Sequence, residues 1–276
     1  MPKTVSDAVR EVCLSFPQSE EFLSHGKPNF RVRRGKVYAI YAVNHHGDGR
    51  VALWLKAAPG AQDHHVKASP NHFFVPPYVG PSGWLGVRLD RKLSWKRIAA
   101  LVREAYEQVA PARLVTQIGK TLDIEPPRKA VPDEQFDPMT SARAQRLLAG
   151  VRKICGAWPE AREARQFGVP VWRAGKRTFV WAYADEAGLK LSFWVGVERQ
   201  GLMCADRRFT IPRFLGHNGW IALDVAGRCD WDEVRALALD SYRHFALKRM
   251  LRALEDSSAR VRAAADAHWG ESVRFA

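Results

Sequence analysis

The chain repeats itself, and this constrains its fold more than any single motif does. At a spacing of 136, residues 76–113 align with 212–249 without a gap, and ten of the 38 positions are identical. They include Pro76/Pro212, Gly80/Gly216, Gly83/Gly219, Trp84/Trp220, Trp95/Trp231 and Tyr106/Tyr242. At a spacing of 142 the front halves match: residues 9–13 face 151–155, Pro17 faces Pro159, and residues 26–31 face 168–173. Trp54 pairs with Trp194 at 140, so the second copy has shorter loops. A repeat of this length implies one supersecondary unit present twice. The copies span 1–115 and 141–254. Between them, 116–140 is Pro-rich, locally acidic and without periodicity, which predicts an extended linker. Residues 255–276 form a predicted C-terminal helical extension with no counterpart in the first copy.

Within one unit, Val5, Val9, Val12, Cys13 and Phe16 line one helical face, which Pro17 ends. Residues 30–33, 36–43 and 51–56 read as strands, with turns at Arg34-Gly35 and Gly47-Asp48-Gly49. A short helix to about residue 68 follows Pro59-Gly60, then strands at 73–75 and 84–89. Ser94 is positioned to cap a helix with Ile98, Leu101, Val102, Ala105 and Tyr106 on one face. The predicted class is α+β: two tandem two-layer α/β domains, each α-β-β-β-α-β-β-α, with an antiparallel sheet covered by helices.

These residues carry a resemblance. The helix ending in Phe-Pro, the segment from Gly26 to Val32, the Gly-Lys-Val-Tyr-Ala strand at 35–39, the Pro-Tyr-Val loop leading to Trp84, and a last helix with Ala105-Tyr106 or Ser241-Tyr242 occur in that order twice. In this each unit resembles the MmcQ/YjbR-like family. The resemblance implies an antiparallel two-layer domain described as a double-wing DNA-binding module, and it brings no catalytic residues with it.

The charge agrees with a polyanionic partner. Lys and Arg number 43 against 29 acids, a formal net charge of +14. The excess is +9 over 1–120 and +8 over 141–276, with −3 between, so both copies are basic. At equivalent hairpins lie Arg31, Arg33, Arg34 and Lys36 in the first copy and Arg173, Lys176 and Arg177 in the second. Guanidinium and ammonium groups on a β-turn can straddle phosphates. Lys27, Arg50, Arg208 and Arg213 could extend the patch. The expected function is non-catalytic DNA binding through these basic wings. Two alternatives remain open: a chaperone-like module binding acidic protein or peptide, and a small-molecule enzyme with a site at the repeat interface.

Other chemistry finds little support. Gly119-Lys120-Thr121 lacks the first glycine of a phosphate loop, and Trp84 stands where a nucleophile elbow needs glycine. No carboxylate pair recurs in both copies, and the nine histidines show no metal-ligand spacing, so no cofactor and no metal are expected. The repeated aromatics and Cys13/Cys155 read as core residues. Four cysteines without a paired spacing suit a reducing compartment. With no apolar run of about 20 residues and no apolar segment at the N-terminus, the expectation is a soluble cytoplasmic protein without a membrane partner.

Overall fold

A computed structural model describes residues 3–257 and 259, apart from Thr121, Glu186, Phe214, Ala226 and Arg228. The chain divides into two compact units, Met1–Asp137 and Pro138–Ala276. No helix among the described residues is long and apolar enough to cross a membrane. The extension expected at 255–276 lies almost entirely outside the described residues.

The first unit runs α1 (Val5–Leu14), β1 (Ser19–Ser24), β2 (Lys27–Val32), β3 (Val37–Val43), β4 (Val51–Lys56), α2 (Ala61–Ala68), β5 (Phe73–Phe74), β6 (Trp84–Arg88), α3 (Trp95–Glu107) and α4 (Ala112–Val115). After α5 (Asp133–Phe136) comes the second unit: α6 (Ala142–Cys155), β7 (Ala161–Gln166), β8 (Val169–Ala174), β9 (Arg177–Asp185), β10 (Gly188–Trp194), α7 (Val197–Met203), β11 (Phe209–Thr210), β12 (Trp220–Asp224) and α8 (Trp231–Phe245). Each unit has one six-stranded antiparallel sheet, ordered β1-β2-β3-β4-β6-β5 and β7-β8-β9-β10-β12-β11. The α+β class and the tandem arrangement are as the sequence predicts.

Each unit holds one strand more than the predicted order. β1 and β7 read Ser-Glu-Glu-Phe-Leu-Ser and Ala-Arg-Glu-Ala-Arg-Gln. They are edge strands without a fully buried residue, so they show no apolar alternation from which a strand could be read. Charged side chains there also block edge-to-edge pairing with another sheet. The Trp54/Trp194 pairing is likewise corrected. Ile40 faces Trp54 across β3–β4, whereas its counterpart Trp181 faces Ser192, so Ser192 occupies the place of Trp54 and Trp194 that of Lys56. The spacing in this strand is therefore 138, and it brings a pair that the sequence reading missed. Gln62 donates to the carbonyls of Gly80 and Trp84, as Gln200 does to those of Gly216 and Trp220. One glutamine thus fastens the Gly-x-x-Gly-Trp loop in each unit.

The helices are closed at their starts by side chains that accept orphan amides. Thr4 and Asp7 form a reciprocal capping box, Ser94 caps α3, Ser141 caps α6 and Asp230 caps α8. Val9, Val12, Ile98, Leu101 and Val102 then pack onto Phe30, Tyr38, Leu53 and Val87 from one face of the first sheet. The second unit repeats this with Val151, Ile154, Val234 and Leu237 against Trp172, Phe179, Leu191 and Ile221. Cys13 and Cys155 are fully buried at matching places, and burial pushes both thiols well above their usual range.

The sequence predicts α8 to continue to about residue 254, but the helix stops at Phe245. Ala246 turns extended and a new helical stretch begins at 248. The first unit makes the same break at Pro111. No proline forces it in the second unit. The break is held because it delivers Met250, like Leu114, into a fully buried position, worth roughly 2 kcal/mol of apolar burial.

Part of the expected linker belongs to the first unit. Ile124 is buried in its core, with Ile118, Val131 and Phe136 packed against it, and Lys129 bridges Thr4.

In both units a tyrosine on the last long helix reaches the proline after the first helix. Tyr106 donates to the carbonyl of Pro17 at 2.6 Å and Tyr242 to that of Pro159 at 2.7 Å. A net contribution of about 1 kcal/mol is expected for each bond. Tyr106→Phe and Tyr242→Phe should each lower stability in denaturant by about that amount, additively because the sites lie in different units. An unchanged midpoint in either would contradict the assignment.

Candidate functional site

The hairpin turns expected to carry function are built differently in the two units. In the first, Arg33 and Arg34 both sit in the left-handed region, with φ of 41° and 58°. The Gly35 amide closes on the Val32 carbonyl at 2.7 Å, and the Glu20 carboxylate accepts from the Arg34 amide, also at 2.7 Å. Left-handed conformation costs a residue with a Cβ about 1 kcal/mol or more. In the second unit Gly175 takes the positive φ of 61° at the first central position of a two-residue turn, where glycine carries no such cost.

The predicted residues divide into two sets. Arg33, Arg34 and Lys36 are exposed on the first turn, and Lys176 and Arg177 on the second; the Glu20 carboxylate lies within electrostatic reach of Arg34. Arg31 is instead held by Glu20 at 2.7 Å and lies over the Phe22 ring. Arg173 is half-buried, bonded to Gln166, with its Nε unpartnered. Lys27 is not at the tip at all. It opens β2 at the far end of the sheet, half-buried, where desolvation pushes its pKa down. Of the four outlying cations, Arg50 lies over Phe74 near Asp48, and Arg208 is bound by Asp206 and Glu233.

That far end holds a cluster the sequence reading did not assemble. After β3 the chain passes through Asn44 and His46, with φ of 45° and 56°. This places the His45 ring edge-on to Trp54, with centroids 4.9 Å apart, and 5.8 Å from Tyr78. His46 Nε2 lies 3.0 Å from the Tyr78 hydroxyl, and Tyr78 itself has a φ of 65°. His45 is 8% exposed and Trp54 4%, yet His45 Nε2 and Trp54 Nε1 have no hydrogen-bond partner among the described residues. Burial, with Lys27 and His46 nearby, pushes the His45 pKa down to about 3. The His45-His46 pair was visible in the sequence, but the Tyr78 and Trp54 contacts depend on a loop whose path the sequence does not reveal.

The same sheet face of the second unit keeps an apolar cluster around Val171, Trp181 and Trp220 but is polar at three matching positions. Where the first has Ala42, Ala52 and Trp54, the second has Tyr183, Lys190 and Ser192. Lys190, nearly fully buried, meets Asp224 at 2.8 Å, and Ser192 donates to Tyr183 at 3.3 Å. Among the described residues no three His, Cys, Asp or Glu side chains converge as a metal site would require.

His45 also predicts a pH effect. Its folded pKa lies below the unfolded value near 6.5, so the unfolded chain takes up its proton first. Its stabilising contribution is complete above pH 6.5 and is lost as pH falls towards 3. The unfolding free energy should fall by up to about 1.4 kcal/mol per pH unit from this group in that window. His45→Phe should flatten the slope relative to the native chain. Parallel profiles for the two would contradict the burial of a neutral imidazole.

No curated protein matches the chain. The solved structure of the Deinococcus radiodurans protein DR2400, which carries a DUF419 domain, is 21% identical over 44% of this chain and 93% of that one, with a TM-score of 0.35. The family model for YjbR matches residues 14–108 and again 156–244, one match in each unit, and on that the chain belongs to the YjbR family.

Proposed function

We propose that the protein binds duplex nucleic acid through the two basic hairpin turns, Arg33, Arg34 and Lys36 from the first unit and Lys176 and Arg177 from the second. The observation that carries this reading is the recurrence of exposed cations on the same turn of both units. Many other arginines of the chain are spent on carboxylates, among them Arg10, Arg31, Arg88, Arg152, Arg208 and Arg249. Backbone strain supports it further. A turn that places two arginines where asparagine and glycine would rest at lower energy retains them for something other than stability. Neither turn presents a helix to a groove, so the contacts fall on phosphates and base preference is weak.

Each phosphate neutralised contributes about −0.9 to the slope of log affinity against log salt. Five tip cations therefore give a slope of about −4 to −5 on duplex DNA. Arg33→Gln, Arg34→Gln and Lys36→Gln together should remove more than half of it, and Lys176→Gln with Arg177→Gln most of the rest. Arg31 and Arg173 are left in place because they hold the turns from within. A length-matched polyglutamate serves as control, since a +14 protein attracts any polyanion. An unchanged slope in the fivefold variant, or equal affinity for polyglutamate, would sink the reading. The strain makes a separate forecast. Arg33→Asn with Arg34→Gly should raise stability by about 1 kcal/mol while lowering the salt slope by about 2. A loss of stability would show that the turn is not strained.

A further inference from the structure

We propose that the outer sheet face of the first unit, where β3 passes into β4, binds a nucleoside 5′-monophosphate unit, with Trp54 and His45 holding the base edge, Tyr78 stacking on its face, and Arg50 and Lys27 receiving the phosphate. This goes beyond the hairpin reading and does not rest on it. The seven residues of β3 separate this end of the sheet from the Arg33–Arg34 turn, about 20 Å at the usual rise per residue.

Three observations converge here. Trp54 Nε1 and His45 Nε2 are buried polar atoms with no partner among the described residues, on rings 4.9 Å apart. An unmet buried polar group costs about 1–3 kcal/mol, so two on neighbouring rings mark a place where something polar belongs. The indole N–H can only donate, and a neutral imidazole nitrogen can accept. A donor and an acceptor on neighbouring rings can meet a planar edge that presents an acceptor beside a donor, as the Watson–Crick edges of uracil, thymine and guanine do.

The second observation is strain. Some residues of positive φ occur at equivalent positions in both units, Gln18 with Glu160 and His25 with Phe167, and so belong to the shared fold. Asn44 and His46 have no such counterpart among the described residues; they flank His45 in the chain, and Tyr78 lies beside both histidine rings. Strain of this kind gathers where a site must be held in shape. The third is the surroundings. Tyr78 is 72% exposed and offers a ring face, while the Arg50 guanidinium lies 4.2 Å over Phe74 with the Asp48 carboxylate 3.9 Å away. Aromatic face, paired donor and acceptor, and rim cations together select a heteroaromatic ring with an anionic tail. Both ring nitrogens are enclosed in the present conformation, so binding requires the Tyr78 loop, held by His46 at 3.0 Å, to move. The second unit has Ser192 in the place of Trp54, its hydroxyl already bonded to Tyr183, so one site per chain is expected.

The test is calorimetric titration of the full chain with UMP, GMP, uridine and the tetranucleotide of thymidylate, alongside the indole N–H resonance of Trp54, assigned with Trp54→Phe. One ligand per chain is expected, with the monophosphate about tenfold tighter than the nucleoside because of its charge-assisted contacts. Trp54→Phe keeps an aromatic ring but loses the donor together with the pyrrole half of the indole, and should weaken binding about tenfold. Tyr78→Ala should do so by a similar factor. The hairpin variant with Arg33, Arg34 and Lys36 changed to Gln should bind UMP as the native chain does, which separates failure here from failure of the duplex reading. A tetranucleotide much tighter than UMP identifies the source as an unpaired residue of a strand. Equal affinities identify a free nucleotide. No binding of any probe at about 1 mM, a Trp54 resonance that nucleotides do not move, as for a site holding water only, or a Trp54→Phe protein that binds normally would each overturn the proposal.

Discussion

A hydroxyl on the last long helix of each unit, donated to a proline carbonyl just past the first, ties the two helices together over the sheet. Around Tyr106 the rings of Phe16 and Tyr38 stack and meet edge-on, at 4.9 and 5.4 Å. Around Tyr242, Trp158 lies tilted and Phe179 edge-on, both at 5.3 Å. The Tyr38 hydroxyl continues the tie by donating to the Cys13 carbonyl in the first helix. Proline is suited to the acceptor position because it ends α1 and leaves its carbonyl free. Every other feature hangs on this arrangement: the helices cover one sheet face, and the opposite face is left for other use.

Much of this was legible in the sequence because it rests on large, apolar, repeated residues. The tyrosines, the tryptophans that start α3 and α8, the loop glycines and Ser94 fall into register at a single spacing, and their types dictate burial or capping. What was not legible rests on residues whose side chains do not decide the backbone. The edge strands β1 and β7 are polar and pair through their main chains alone. The Trp54/Trp194 match looked persuasive because tryptophan is rare, yet strand register is set by the ladder, and the ladder puts Ser192 opposite Trp181. The tip cations were found because charge on a turn between strands must face water. Which of them stay free could not be read, because Glu20 and Gln166 arrive from the strands the sequence hid.

Duplication explains why the two outer faces differ. The helical faces of both units keep the same tie, the same buried cysteine and the same glutamine on the loop. Relieved of that role, the outer faces have diverged: an indole, a neutral imidazole and strained backbone in one, and a buried Lys190–Asp224 pair beside Tyr183 and Ser192 in the other. A buried ion pair seldom adds stability over an apolar pair of the same volume, and a strained turn adds none. Both faces therefore hold features that folding alone does not require. The hairpin turns differ in the same sense, since the first keeps arginines where the second uses glycine.

The central claim is that the two turns are the surface that meets phosphate. Lysine acetylation footprinting, read by mass spectrometry with and without duplex DNA, tests it directly. Lys36 and Lys176 stand on the turns, while Lys67, Lys92 and Lys153 are equally exposed elsewhere. The account predicts that duplex protects Lys36 and Lys176 together and leaves the other three labelled as before. Protection of Lys67, Lys92 or Lys153 with Lys36 and Lys176 still labelled would contradict it.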